Sequence, residues 1–194
     1  MRLTKYVLRD LELVKPRIKY TVADYMTTPD DKRYHLLDGE LILAPSPTDR
    51  HQAIIGVLFF LLYQYNLETG WGHVRMAPLD VHLSEFDLTQ PDLLLVSNDR
   101  ASIITAANIQ GAPDLVVEIL SPSTERHDRG YKRTMYARNG VREYWLVDPA
   151  AETVEMLTEA EEGFVTESIF QRERTLLSPL LPGLSIDLNR VFSV

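Results

Sequence analysis

Pro113-Asp114-Leu115-Val116-Val117-Glu118-Ile119-Leu120 decides the fold. It is a short run of Leu, Val and Ile that reads as a buried strand, and a carboxylate, Glu118, stands inside it. A second run, Pro91-Asp92-Leu93-Leu94-Leu95-Val96, has the same character, with Asp92 at its mouth. A charge in an apolar strand is costly unless something pairs with it. A divalent cation is one such partner, and two carboxylates converging on one Mg²⁺ would make a hydrolytic site.

Working outward, Ser121-Pro122-Ser123-Thr124 predicts a helix cap, with the helix running to Arg138 and a left-handed stop at Asn139-Gly140. Glu143 to Asp148 predicts the next strand, closed by Pro149, so one helix crosses between two strands. Alternation over 152–158 and 164–170 predicts an antiparallel finish. Upstream, Asp38-Gly39 between the apolar arms of Tyr34–Leu43 predicts a hairpin. Ser46 predicts the N-cap of a long helix that ends at Gly70, with Pro47 in its first turn. Its stretch Ile54–Tyr65 is apolar nearly all round, which predicts burial or a face shared with a second copy. Val74–Leu83 predicts one strand. The order is that of a single α+β domain over residues 1–194, with a peripheral arm at 1–20 and the core at 21–194.

The chain has 194 residues, 45% hydrophobic and 25% charged, ordinary values for a globular domain with a real core. It has no cysteine, which excludes disulfides and thiolate metal sites. The first residues carry no apolar signal core, and the run from Ala53 to Tyr63 is too short to span a bilayer. A cytoplasmic protein without a membrane is expected. The net charge of −8 argues against a bulk electrostatic nucleic-acid binder. Between Glu125 and Glu143, however, six basic residues face three acidic ones. That local excess suits a phosphate-bearing substrate, although a charge run is more often a solvated helix face.

If the two strands are neighbours, Asp92 and Glu118 point into one cleft, and Lys132 on the following helix can fold back over the strand end. A lysine there would hold an attacking water and stabilise charge in the transition state. The competing reading of Lys132 is a surface ion pair with Asp128, four residues away. Asp114 is a rival for Asp92, since Pro113-Asp114 has the same form. It shares a strand face with Glu118 but sits about 13 Å from it at standard rise, too far for one ion. Asp80 and His51 are further candidates, Asp80 as a third carboxylate and His51 in the first turn of the long helix. Tyr144 and Trp145 read as core.

The chain resembles the Uma family of restriction endonucleases, a branch of the PD-(D/E)xK nuclease superfamily. The resemblance rests on Tyr34–Leu41, on Ser46-Pro47 with His51-Gln52, and on Ala77–Val81 leading to Gln90-Pro91-Asp92. It continues through Pro113–Thr124, Asp128, Lys132 and Tyr136 to Gly140–Pro149, and covers about residues 20 to 190. It implies a restriction-endonuclease-like core, a central mixed sheet flanked by helices. The activity implied is Mg²⁺-dependent hydrolysis of DNA phosphodiester bonds, with Mn²⁺ as a second metal. Asp92 and Glu118 match the metal-binding acids. The superfamily's lysine would stand at Leu120, and Lys132 is the matching substitute from the helix. His35 occupies a position where many relatives carry glutamate, and it ligates Mg²⁺ less well than a carboxylate. The resemblance also implies a homodimer. Two rivals stand beside this reading: a weakened or inactive nucleic-acid-binding protein on the same fold, and a phosphohydrolase acting on a small nucleotide or RNA.

Overall fold

A computed structural model describes residues 18–29 and 32–194. The expected arm over 1–20 therefore lies, up to residue 17, outside the described residues; Tyr20 donates its N–H to Gly39 O at 2.8 Å. In chain order the elements begin with α1 (Val22–Tyr25), the hairpin strands β1 (Tyr34–Leu37) and β2 (Glu40–Leu43), and the long helix α2 (Asp49–Thr69). Next come β3 (Gly72–Met76), β4 (Val81–Ser84), β5 (Asp87–Thr89), β6 (Leu93–Ser97), a 3₁₀ turn over Asn98–Ile103, and β7 (Ile109–Gln110). Strand β8 (Leu115–Ile119) leads into a composite helix: α3 (Glu125–His127), a π-turn (Asp128–Lys132) and α4 (Arg133–Arg138). The chain closes with β9 (Glu143–Asp148), β10 (Thr153–Ala160), β11 (Gly163–Gln171), β12 (Thr175–Leu177), β13 (Ser185–Asp187) and α5 (Leu188–Phe192).

Six strands form the main sheet in the order β11-β10-β9-β8-β6-β3. Strand β8 is interior, antiparallel to β6 and parallel to β9, so the sheet is mixed. The parallel pair requires a crossover, and the composite helix supplies it. A second sheet has the order β2-β1-β5-β4-β7, and β12 pairs with β13 apart from both. This is the α+β architecture expected from the sequence.

Alternation along β8 divides its side chains between two cores. Leu115, Val117 and Ile119 face α2 and α5, packing with Ile54, Leu58, Leu62, Val191 and Phe192. Val116 and Leu120 face the other way, against Met135, Tyr136 and Leu37. Glu118 lies between them in sequence and shares their face. A charged side chain therefore enters the layer between the main sheet, the composite helix and the hairpin.

Several local expectations are met with a change of detail. The Asp38-Gly39 turn has positive φ at both residues, 51° and 75°, the backbone that a two-residue hairpin of the primed kind demands. The long helix starts two residues later than expected. Thr48 is its N-cap, with Oγ1 accepting from His51 N at 3.3 Å, while Ser46 and Pro47 remain in an extended segment before it. The single strand expected over Val74–Leu83 is two strands in different sheets. Pro78 has no N–H to give a ladder, and the chain leaves one sheet there and joins the other at Val81. The left-handed residue after the composite helix is Gly140, at φ 87°, and Asn139 stays right-handed. On α2, Ile54, Ile55, Leu58, Leu62 and Tyr65 are buried, whereas Phe60, Tyr63 and Leu67 are exposed. Tyr144 and Trp145 are core, as expected. Among the described residues no helix is long and apolar enough to cross a membrane.

Candidate functional site

Strands β6 and β8 pair Leu93 with Val117 and Leu94 with Val116. One step beyond these pairs the same register sets Asp92 across from Glu118. Directly opposed residues on one face of an antiparallel pair have Cβ atoms about 5 Å apart. A hydrogen bond fixes the junction: Ile119 N donates to Asp92 Oδ2 at 2.8 Å. Both acids line one cavity of about 490 Å³.

Lys132 reaches the same place from the composite helix. Its Nζ donates to Glu118 Oε1 at 3.0 Å and lies 2.8 Å from Asp128 Oδ1. The Asp128 contact is an ion pair without hydrogen-bond geometry, and Oδ1 has no other partner. The expected Asp128–Lys132 pair therefore exists, but it is not on the surface: the side chains are 1% and 4% exposed. Spacing explains the convergence. Asp128, Lys132 and Tyr136 follow at intervals of four, which puts them on one helix face. The π-turn over Asp128–Lys132 lies within this stretch, a local widening often found where helices serve a site.

Tyr136 donates to the same Glu118 Oε1 at 2.7 Å. Its hydroxyl also lies 3.2 Å from Thr89 Oγ1, which lies 3.3 Å from His35 Nδ1. The backbone N–H of Gln90 points to that Nδ1 at 3.3 Å, making it an acceptor and leaving the proton of neutral imidazole on Nε2. His35 stands on β1 at the cavity wall, and as a neutral ring it has no lone pair left to bind a metal. Burial, with Lys132, Arg33 and His127 nearby, holds its pKa well below the usual histidine value.

The charges here do not balance. Among the described residues Glu118 and Asp128 share the ammonium of Lys132, and Asp92 has only His51. Burial is the largest influence on Glu118, and the neighbouring Asp128 and Asp92 add to it. Together they outweigh Lys132 and Tyr136 and push its pKa up to about 8. Lys132 is pulled down by burial and raised further by Glu118 and Asp128, so the ammonium stays charged. His51, in the first turn of α2, has Nε2 at 3.3 Å from Asp92 Oδ2. Burial lowers its pKa, but Asp92 and Glu118 prevail and the net shift is upward. Its Nδ1 is buried with no hydrogen-bond partner.

The remaining candidates lie elsewhere. Asp80 accepts from Tyr25 Oη at 3.0 Å and Gln90 Nε2 at 2.7 Å, and does not line the cavity. Asp114 is fully buried and accepts from Ser97 N at 2.8 Å and Arg100 Nη1 at 3.1 Å, a structural anchor at the other end of β8. Sequence reading gave Tyr136 and Asp128 no role at the site. The four-residue spacing with Lys132 was the signal that could have found them. Thr89 carried no such signal, because its place depends on how the second sheet packs.

Among the described residues no group of three or more His, Cys, Asp or Glu side chains is arranged to hold a metal ion. Two carboxylates lining one cavity still fit a hard ion that takes one or two protein carboxylates and completes its shell with water and phosphate oxygens. Both donors to Glu118 converge on Oε1, and both contacts of Asp92 are to Oδ2, so one oxygen of each acid is not committed to them. The surplus of negative charge favours a cation of that kind.

The profile of a family described as "Uma2: Putative restriction endonuclease" matches residues 22–189. Uncharacterized protein slr1290 of Synechocystis sp. is 27% identical over 152 residues, covering 76% of this chain and 78% of its own. The crystal structure of an Anabaena variabilis protein, titled a putative nuclease belonging to DUF820, superposes with a TM-score of 0.75. That comparison covers 89% of this chain and 97% of the other at 20% identity, a likeness of fold.

Proposed function

The chain belongs to the Uma2 family of restriction endonucleases, and from that premise we propose that it is a metal-dependent endonuclease hydrolysing phosphodiester bonds in DNA. The observation that carries this reading is the convergence of Asp92 and Glu118, from adjacent antiparallel strands, on one cavity beside the ammonium of Lys132. Asp92 and Glu118 would hold Mg²⁺, or Mn²⁺ in its place, through the oxygens that their protein partners leave over. Such an ion, when bound, supplies Lewis-acid charge to the phosphoryl oxygen and acidifies a bound water.

The chain's own residues do the rest. Lys132 and Tyr136 clamp Glu118 Oε1 and fix the direction of the carboxylate. Ile119 N and His51 do the same for Asp92. The buried ammonium places a positive charge beside the reacting phosphate, where a low dielectric makes it count for more than in water. His51 and His35 contribute hydrogen-bonding nitrogens to the wall, and Asp80 acts at a distance by holding Gln90, which lines the cavity.

One observation favours the rival reading of a non-cutting DNA-binding protein. Lys132 is closed into an ion triad with Glu118 and Asp128. Incubating plasmid DNA with the protein and Mg²⁺ or Mn²⁺ separates the two. Cutting by the wild type that disappears in Asp92→Ala and Glu118→Ala supports the enzyme; retention of DNA without cutting supports the binder. A homodimer draws support from the exposed Phe60, Tyr63 and Leu67 on α2, apolar area that a second copy would cover. Sedimentation of wild type against Phe60→Glu tests it, with a fall to monomer mass expected in the variant.

A further inference from the structure

Gln90 stands at the cavity wall, and its hydrogen bonds leave its side chain one role there. A glutamine amide carries two N–H donors and one acceptor oxygen. Gln90 Nε2 donates to Asp80 Oδ1 at 2.7 Å and to Tyr25 Oη at 3.3 Å. A carboxylate only accepts, so Asp80 fixes the nitrogen on its side. Tyr25 Oη gives its own proton to Asp80 Oδ1 at 3.0 Å, so towards Gln90 it accepts. Both amide protons are spent, and Oε1 is left. Among the described residues Oε1 has no hydrogen-bond partner, and the buried side-chain atoms without one are His51 Nδ1 and Asp128 Oδ1. Gln90 Oε1 is therefore open to solvent. Gln90 lines the cavity whereas Tyr25 and Asp80 do not, so the amide turns its nitrogen into the fold and its oxygen to the cavity.

The fold ties this amide to both acids. Gln90 precedes Asp92 by two residues, at most about 7 Å of chain. Its backbone N–H points to His35 Nδ1 at 3.3 Å, and Thr89 and Tyr136 continue that contact to Glu118 Oε1.

Hydrolysis calls for an acceptor at this place. A water that attacks phosphorus turns a lone pair towards it, so its protons must point to acceptors. Lys132 and Arg33, both on the cavity wall, are donors only. His35 has an N–H left to give, and His51 Nδ1 is buried. The oxygens that Asp92 and Glu118 leave over go to the cation in the reading above. An amide oxygen whose own protons are spent has no donor to compete with it, and it adds no charge to a site already short of positive charge.

We propose that Gln90 is a further catalytic residue: its amide oxygen accepts a hydrogen bond from the attacking water and aims that water at phosphorus. Asp80 and Tyr25 are positioning residues that keep the amide from flipping. The proposal rests on the nuclease reading above. In the step, the water oxygen bonds to phosphorus and the ester oxygen leaves with the electron pair of its P–O bond. One water proton passes through solvent to the leaving oxygen. The other, held by Gln90, stays on the new P–O–H group, and Gln90 itself takes no proton.

The test compares wild type with Gln90→Met, which keeps an unbranched side chain of similar length and removes the acceptor. DNA cleavage is followed with Mg²⁺ or Mn²⁺. The expected result is a kcat lower by about 10- to 100-fold, the scale of a misdirected reactant, with KM unchanged. Mg²⁺ calorimetry and DNA anisotropy in Ca²⁺ should match wild type. Cutting at the wild-type rate overturns the proposal and leaves the nuclease reading standing. A raised KM with kcat unchanged, or weaker binding of Mg²⁺ or of DNA, also overturns it, because the amide then serves the substrate or the ion rather than the water. No cutting by wild type sinks the nuclease reading and this inference with it. Asp80→Asn is the second variant, since residue 80 can then face either end of the Gln90 amide. It should lower kcat by less than Gln90→Met does, again with KM unchanged; an unchanged kcat overturns the hold on the amide. A readout free of activity is the Gln90 side-chain NH₂ pair in ¹H–¹⁵N spectra of the metal-free wild type. Its protons should exchange with water more slowly than those of an exposed glutamine, and equally fast exchange overturns the proposal.

Discussion

Asp114 and Glu118 leave the same strand four residues apart, and both are buried, yet they are opposite kinds of acid. Asp114 receives Ser97 N and Arg100, with Arg142 at 3.5 Å. Burial raises its pKa, those donors more than offset it, and the carboxylate ends below its ordinary value. Glu118 shares a single ammonium with Asp128 and faces Asp92 as well, so burial prevails and its pKa goes up. One acid is satisfied by the fold. The other is left short of positive charge beside an open cavity. Buried acids that the protein does not neutralise are where a cation or a proton is expected, and that contrast separates site from scaffold on one strand.

The largest expected effect breaks the comparison on activity. Asp92→Asn or Glu118→Gln should lower DNA cleavage on the order of 10³-fold, since each removes charge aimed at the reacting group. Asp114→Asn should leave cleavage per folded molecule near wild type. On stability the ranking reverses. Asp114→Ala leaves buried donors unmet and should cost about 3 kcal/mol, a Tm drop of roughly 6–12 °C for a chain of this size. Glu118→Gln should keep Tm near wild type below about pH 8, where the folded protein holds the carboxyl protonated, and raise it above that pH.

Titration sharpens the same contrast with opposite signs. Glu118 has a raised folded pKa, so the folded state holds its proton more tightly than the unfolded one. Stability in metal-free buffer should fall as pH rises from about 4.5 towards 8, and Glu118→Gln should flatten that slope. Asp114 has a depressed folded pKa. Its contribution is present above about 3.8 and is lost as pH falls through the lower folded value, and Asp114→Asn should flatten that acid limb. Thermal melts across pH 3 to 9 check both. The smallest effect concerns the clamp. Tyr136→Phe removes one donor to Glu118 and should cost about 10- to 100-fold in metal affinity or cleavage, with little change in fold.

Much of this was legible in the sequence because local patterns and tertiary structure agree. The apolar runs holding Asp92 and Glu118 are neighbouring strands, and the Asp-Gly turn, Gly70 stop and crossover helix stand where their residue types place them. The misses have physical causes. Ser46 is a good cap residue followed by proline, but Thr48 is the one whose hydroxyl accepts a free first-turn N–H, that of His51. Val74–Leu83 has an unbroken strand composition, and only Pro78, missing a donor, splits it between two sheets. His35 has the residue type of a ligand, while its role is set by Gln90 N and Thr89, which the second sheet brings to its Nδ1. The strands and helix after residue 171 were not read at all, since they are short and gain their order from packing on α2.

Isothermal calorimetry of Mg²⁺ or Mn²⁺ binding tests the central claim without assuming a substrate. Wild type should bind the ion with proton release, and with affinity that climbs as pH rises towards 8, because the ion displaces the proton held by Glu118. Asp92→Ala and Glu118→Gln should show no such heat. Equal binding by wild type and both variants would contradict the account.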